Sequence, residues 1–266
     1  MYVPSFSQSS RRLIIALCLI LALTACGGGG SAATPTVAPT ARTLLDKAAM
    51  DIQGVASLHF KLQLSGAPGF IDDAKLISFV SADGGYTAPD KVGAKVSAAV
   101  SGIPGQIDIV AIGDEQYFKH IVLTGNRWLR QDFSPGFNAD KLIRGEDGIK
   151  RALNSLREVK LEGVEDLFGV QVYKVSGIAS VSEIMAVTAG LIRGTGDAIA
   201  TIYIRVDTER VERMVLIQPE TVTDQYPEPT MWTMEFFDYD DPAIVIDAPA
   251  VETPVSAETP SPAATP

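Results

Sequence analysis

The chain has 266 residues, with 22 Lys and Arg against 32 Asp and Glu, and its net charge of −10 disfavours binding to nucleic acid or to anionic headgroups through a basic patch. Its two cysteines, Cys18 and Cys26, both precede the part expected to fold, which excludes a disulfide framework, a thiol nucleophile or a cysteine metal site there. Stability has to come from buried apolar surface, and a domain of about 200 residues is large enough to supply it.

The chain begins with a short basic region, Arg11 and Arg12, followed by an apolar run of eleven residues from Leu13 to Leu23. That run is too short to span a bilayer, which takes about 20 apolar residues. A basic start, a short apolar core and a small-residue exit mark a secretory signal. The exit, Leu23-Thr24-Ala25-Cys26, looks like a bacterial lipobox. Cleavage would fall before Cys26, whose thiol would carry a diacylglyceryl anchor and hold the protein at the outer, extracytoplasmic side of a cell membrane. Losing residues 1–25 removes two arginines and no acid, so the mature net charge is −12. Residues 26–40, the cysteine and GGGGSAATPTVAPT, have no apolar period and read as a flexible tether. No strand precedes these glycines and no Lys-Ser/Thr pair follows, so they are not a phosphate loop. The last stretch, residues 248–266, is rich in Pro, Thr and Ala and reads as a disordered tail.

Residues 41–247 are expected to form one domain. Leu45, Ala48, Ala49 and Ile52 fall on one face of a helix. From Leu58 the period changes to two: Leu58, Phe60, Leu62 and Leu64 alternate with His59, Lys61 and Gln63. KLISFVSA, KVSAAVSG, QIDIVAIGDEQYFKHIVL and NRWLRQD continue in the same manner. DGIKRALNSLREV returns to helical spacing through Ile149, Leu153 and Leu156, and VEDLFGVQVYKVSG predicts a hairpin turning at Phe168-Gly169. Ser180 and Glu183 have capping-box spacing ahead of a short helix. Three strands close the domain, the first two joined at about Thr208-Glu209. The layout is α+β: an antiparallel sheet of nine to eleven strands with a few helices.

Catalytic motifs are missing: no GxSxG, HExxH, GxxxxGK[ST] or GxGxxG pattern occurs. The two histidines, His59 and His120, fall at polar positions of strands and read as exposed. The acidic run Asp238-Tyr-Asp-Asp241 suggests a cation site, but adjacent strand residues point to opposite faces, and a solvated strand end is the simpler reading. No metal or cofactor is expected. Nearly every strand carries an aliphatic face, with few helices to cover it. This suggests a curved sheet with an apolar hollow, and the periodicity leaves open whether that hollow is empty or packed solid.

GDEQYFKH, NRWLRQD, DGIKRALNSLREV, EGVEDLFGVQVYKVSGIAS, ATIYIRVDTERVERMVL and TMWTMEFFDYDDP, in this order, resemble the LppX/LprA/LprF/LprG lipoproteins, across roughly residues 42–246. The resemblance implies a strongly curved antiparallel half-barrel with helices over its concave face and an apolar cavity between. It also implies a non-enzymatic role: binding the acyl chains of a lipid or glycolipid and carrying or presenting them in the cell envelope, sometimes with a membrane lipid exporter. Alternation nominates Leu58, Phe60, Leu62, Ile77, Phe79, Val96, Ala98, Ile107 and Ile109 as cavity residues on the sheet, with Leu153 and Leu156 on the covering helix. The alternatives are an envelope scaffold or docking module with a solid core and, further off, a surface hydrolase.

Overall fold

The computed structural model describes residues 38–71, 74–131 and 137–251. Cys26, the signal sequence, most of the tether and nearly all of the tail lie outside these residues, and the fold belongs to the compact unit that starts at Pro39. Helix α1 (Ala41–Gly54) buries Leu44, Leu45, Ala48, Ala49 and Ile52 along one stripe. Its start is fixed by a reciprocal cap: Thr40 Oγ1 accepts from the Thr43 amide at 3.2 Å, while Thr43 Oγ1 accepts from the Thr40 amide at 2.9 Å. Threonine here plays the returning part usually taken by Glu or Gln.

Among the described residues twelve strands follow, all pairing antiparallel: β1 (Ser57–Ser65), β2 (Gly69–Phe70), β3 (Ile77–Thr87), β4 (Lys91–Val100), β5 (Ile103–Ile112), β6 (Glu115–Lys119), β7 (Leu129–Arg130), β8 (Arg157–Leu167), β9 (Val170–Ser180), β10 (Asp197–Arg205), β11 (Val211–Gln218) and β12 (Thr230–Phe237). Their order is β7-β6-β5-β4-β3-β1-β12-β11-β10-β9-β8, with β2 on β3. The first and last strands of that order do not pair, so the curved sheet stays open, a half-barrel. Irregularities bend it: the β3–β4 register shifts between Phe79 and Ser81, and β8–β9 shifts twice. At Gly84 an added Cβ would meet the Gly93 carbonyl oxygen at 2.3 Å, so only glycine permits the approach of β3 to β4 at this point.

Between β7 and β8 come α2 (Ala139–Ile143) and α3 (Ile149–Asn154), and α4 (Val181–Ile184) follows β9 and runs into a 3₁₀ turn, Met185–Thr188. Asn138 caps α2 by accepting from the Asp140 amide at 2.9 Å and the Lys141 amide at 3.3 Å. The expected helix over DGIKRALNSLREV is only half its length: α3 ends at Asn154, and Arg157 already opens β8. Ser180 makes no capping bond; its Oγ lies 3.1 Å from Ser182 Oγ, and Glu183 turns instead to Arg151 at 2.5 Å. QYFKHIVL is also not a continuous strand. β6 stops at Lys119, and residues 120–127 form a turn.

The acidic run after β12 is a set of clasps. Asp240 Oδ1 accepts from the Ala56 amide at 2.8 Å, and Asp240 Oδ2 pairs with Arg210 at 2.7 Å. Asp238 lies 2.9 Å from His59 Nδ1, and Asp241 accepts from the Ala243 amide at 2.8 Å. Each carboxylate has a different partner, and among the described residues no three His, Cys, Asp or Glu converge as metal ligands do.

Candidate functional site: an apolar cavity under one half of the sheet

A cavity of about 600 Å³ lies against the concave face. Its sheet wall comes from β1 (Phe60, Leu62), β3 (Phe79, Ala82, Tyr86), β4 (Val92, Ala94, Val96), β5 (Ile107, Ile109), β6 (Phe118) and β12 (Met234, Phe236). Opposite stand Phe137, Ala139, Leu142 and Ile143 at α2, and the stretch from Val187 to Leu191 after the 3₁₀ turn. No residue of β8, β9, β10 or β11 touches it. Along β9 and β10, Val175, Ala179, Ala198, Ala200, Ile202 and Ile204 are wholly buried.

Charge is nearly absent from the wall. Lys61 borders the cavity, yet its ammonium lies 3.9 Å from Asp83 and over the Phe237 ring, away from the apolar side chains of β1. Arg193 stands at the rim and donates to the Ile71 carbonyl at 3.2 Å. The Tyr86 hydroxyl donates to the Pro89 carbonyl at 2.8 Å, and burial pushes its pKa up to about 12, so it stays neutral. A smaller recess of about 280 Å³ shares Leu191 and Arg193 with the cavity, and Gln218, Thr230 and Trp232 line it. There Trp232 Nε1 donates to Gln218 Oε1 at 3.2 Å, so the ring's polar edge is satisfied while its face stacks on Phe79 at 5.6 Å. The arrangement offers apolar contact and no converging acid, base or nucleophile.

The sequence-nominated residues divide between wall and packed core. Phe60, Leu62, Phe79, Val96, Ile107 and Ile109 line the cavity. Leu58, Leu153 and Leu156 are buried in the packed core instead; Ala98 is buried but belongs to neither wall nor core cluster, and half-buried Ile77 is not on the wall. Leu153 is in α3, but Leu156 lies beyond its end, between helix and β8. Alternation missed Ala82 and Tyr86, because the bulge at Phe79–Ser81 moves even-numbered residues of β3 onto the concave face. It also missed Val92 and Ala94, although both share the alternation of Val96. His120 is not an exposed strand residue: its Nδ1 accepts from the amides of Val122 and Leu123, at 3.2 and 3.0 Å, inside the turn.

The sequence model of the LppX_LprAFG lipoproteins matches residues 40–245, nearly the whole of this architecture. The chain belongs to that family. Among solved structures, LprF from Mycobacterium bovis is 17% identical, covers 79% of this chain and 97% of its own, and superposes with a TM-score of 0.61. Lipoprotein LppX from Mycobacterium tuberculosis is 18% identical, covers 75% and 96%, and gives a TM-score of 0.51. At such identities the likeness speaks for the fold, a half-barrel shared along nearly the full length of both relatives. No match was found among curated protein sequences. Among the described residues no helix is long and apolar enough to cross a membrane.

Proposed function

We propose that this family member is a lipid-binding envelope lipoprotein whose cavity takes a long acyl chain. It would carry or present that lipid while tethered to a membrane through a lipidated Cys26. The supporting observation is the open apolar space of about 600 Å³ facing β1 and β3–β6, while the core side chains of β9 and β10 are wholly buried. A methylene takes up about as much room as a water, roughly 30 Å³, so the space suits about 20 such groups, one long chain. Each methylene leaving water favours the cavity by about 0.8 kcal/mol, enough for tight binding with no polar recognition. Family and fold support the lipid-binding role, and the apolar wall supports binding over catalysis. In this reading residues 1–25 are the signal, 26–40 the tether, 41–247 the binding domain and 248–266 the tail; a lipid exporter would be the partner that loads or unloads it.

The test is native mass spectrometry with solvent extraction on residues 26–266 carrying Cys26→Ser, produced in a lipid-rich bacterial host such as a mycobacterium. About one acyl lipid per protein is expected. Leu62→Asp, on the half-buried wall, should lower that loading while the protein stays folded. Phe79 is a worse probe, because its stacking on Trp232 makes a charge there a folding defect as well. A protein that emerges empty and ignores added phospholipid and glycolipid would replace this reading with a scaffold role.

A further inference from the structure

The turn after β6 presents three consecutive aliphatic residues to solvent: Ile121 is 73% exposed, Val122 79% and Leu123 70%. Soluble surfaces carry scattered apolar side chains, but a contiguous apolar patch marks an interaction surface. This turn is held in shape. His120 Nδ1 accepts the Val122 and Leu123 amides, and Thr124 Oγ1 accepts from the His120 amide at 3.1 Å while donating to its carbonyl at 2.9 Å. The exposure is therefore built into the local geometry.

Neighbouring strands extend the patch. Val100, at the end of β4, pairs with Ile77 on one side and Ile103 on the other, and Val100, Ile103 and Leu76 are all more than half exposed. Nε2 of His120 lies 3.5 Å from the position a Cβ would take on Gly105, so the turn sits beside the start of β5. Leu123 belongs to the rim of exposed residues and to the cavity wall at once. The rim thus borders the mouth of the cavity.

The chain enters at the same end of the sheet. Arg42 donates to the carbonyls of Asn154, at 3.2 Å, and Leu156, which places the start of α1 beside the start of β8. Arg157 pairs with Ile178, Ile178 with Ile199, Ile199 with Ile217, Ile217 with Met231, and Met231 with Ser65 at the end of β1. Gln63 in turn faces Ser81 of β3, whose first residues carry the rim. Thirteen residues separate Cys26 from Thr40, a contour of at most about 50 Å. Charge agrees with position: in a chain with 32 acids, none occurs from Lys91 to Ile107 or from Gln116 to Gln131, the segments that build most of the rim.

We infer that the rim of Leu76, Val100, Ile103 and Ile121–Leu123 is a bilayer-docking surface that seats the cavity mouth against the membrane to which the chain is tethered. The docked side chains enter the interface between headgroups and acyl chains, as apolar faces of peripheral proteins do. A lipid then passes between bilayer and cavity without crossing water. Docking stands apart from the cavity's cargo, because the rim meets the membrane whether the cavity is full or empty.

Residues 26–266 with Cys26→Ser contain no cysteine, so a single environment-sensitive fluorophore can be placed at will. Labels go on Val122→Cys and, as the comparison, on Phe168→Cys, an 86% exposed position in the β8–β9 turn at the opposite end of the sheet. With phosphatidylcholine vesicles the Val122 label should shift to the blue and be quenched by spin-labelled lipid tails, and the Phe168 label should not respond. Ile121→Asp with Val122→Asp should lower vesicle partition at least tenfold without moving the thermal midpoint, since both side chains already lie in water. A silent Val122 label, an equal response at both ends, or a vesicle-free dimer that the Asp pair dissolves would overturn the inference; the last would assign the rim to self-association. Lipid loading, measured separately, reports on the cavity and leaves this outcome distinct.

Discussion

Two alanines on β4 allow the cavity to be tested against a solid core by one substitution made twice. Ala94 and Ala98 share the alternation that faces the concave side and both are buried, but Ala94 lines the cavity and Ala98 does not. Ala94→Phe projects a ring into open space beside Gly84, its cross-strand partner without a side chain. The six added carbons displace roughly four to six methylenes of a bound chain, at about 0.8 kcal/mol each. The loss of about 3–5 kcal/mol corresponds to roughly two to three and a half orders of magnitude in affinity. Ala98→Phe, at a buried position off the cavity wall, should instead overpack, costing about 1–3 kcal/mol of stability. The assay is displacement of a fluorescent sixteen-carbon fatty acid, followed by denaturant unfolding of both variants. Ala94→Phe should bind the long probe poorly, retain a ten-carbon probe and unfold no more easily than the parent. Equal destabilisation by both substitutions, with binding unchanged, would refute the open cavity.

The same contrast between wall and core applies to truncation. Leu153→Ala, at a site with no exposure, should cost about 2–5 kcal/mol, whereas Leu62→Ala, already facing open space, should cost clearly less; denaturant midpoints decide between them. Arg210 pairs with Asp51 at 3.0 Å and Asp240 at 2.7 Å and lies over the Tyr239 ring at 5.0 Å, tying α1 to the segment after β12. Arg210→Met should remove about 2 kcal/mol and lower the melting temperature by about 4–8 °C. Lys47→Ala, which breaks only the exposed pair with Glu209, should stay within about 0.5 kcal/mol of the parent in the same scan.

The reach of sequence reasoning here follows from what each pattern encodes. The stripe of Leu45, Ala48, Ala49 and Ile52 specifies α1 because every member meets the core. The two-residue period from Leu58 specifies β1, and Gly169 locates the β8–β9 turn. What could not be read is non-local. The bulge at Phe79–Ser81 arises from pairing with β4, so alternation carried through β3 omits Ala82 and Tyr86. Likewise IVL after Lys119 has the composition of a strand. What ends β6 is the set of hydrogen bonds on His120 and Thr124, and no propensity anticipates an aliphatic turn facing water. Small residues were the other blind spot. Ala82 and Ala94 contribute to the site by being short, and hydrophobic periodicity gives short side chains little weight.

These small residues also explain how one sheet supports a rigid fold and an empty space together. On β9–β11, Val175, Ile202, Ile204 and Leu216 share one packed core with the buried side chains of α1, α3 and α4. On β3–β5 the corresponding positions include Ala82, Gly84 and Ala94, whose short side chains leave room in front of the sheet. Filling that gap with larger side chains would add stability by burying more surface. The space is compatible with folding because the packed half and its clasps, Arg210 among them, supply stability elsewhere. Close packing and open space thus fall on different strands of one sheet, which is why a ring added at Ala94 should weaken long-chain binding without unfolding the protein.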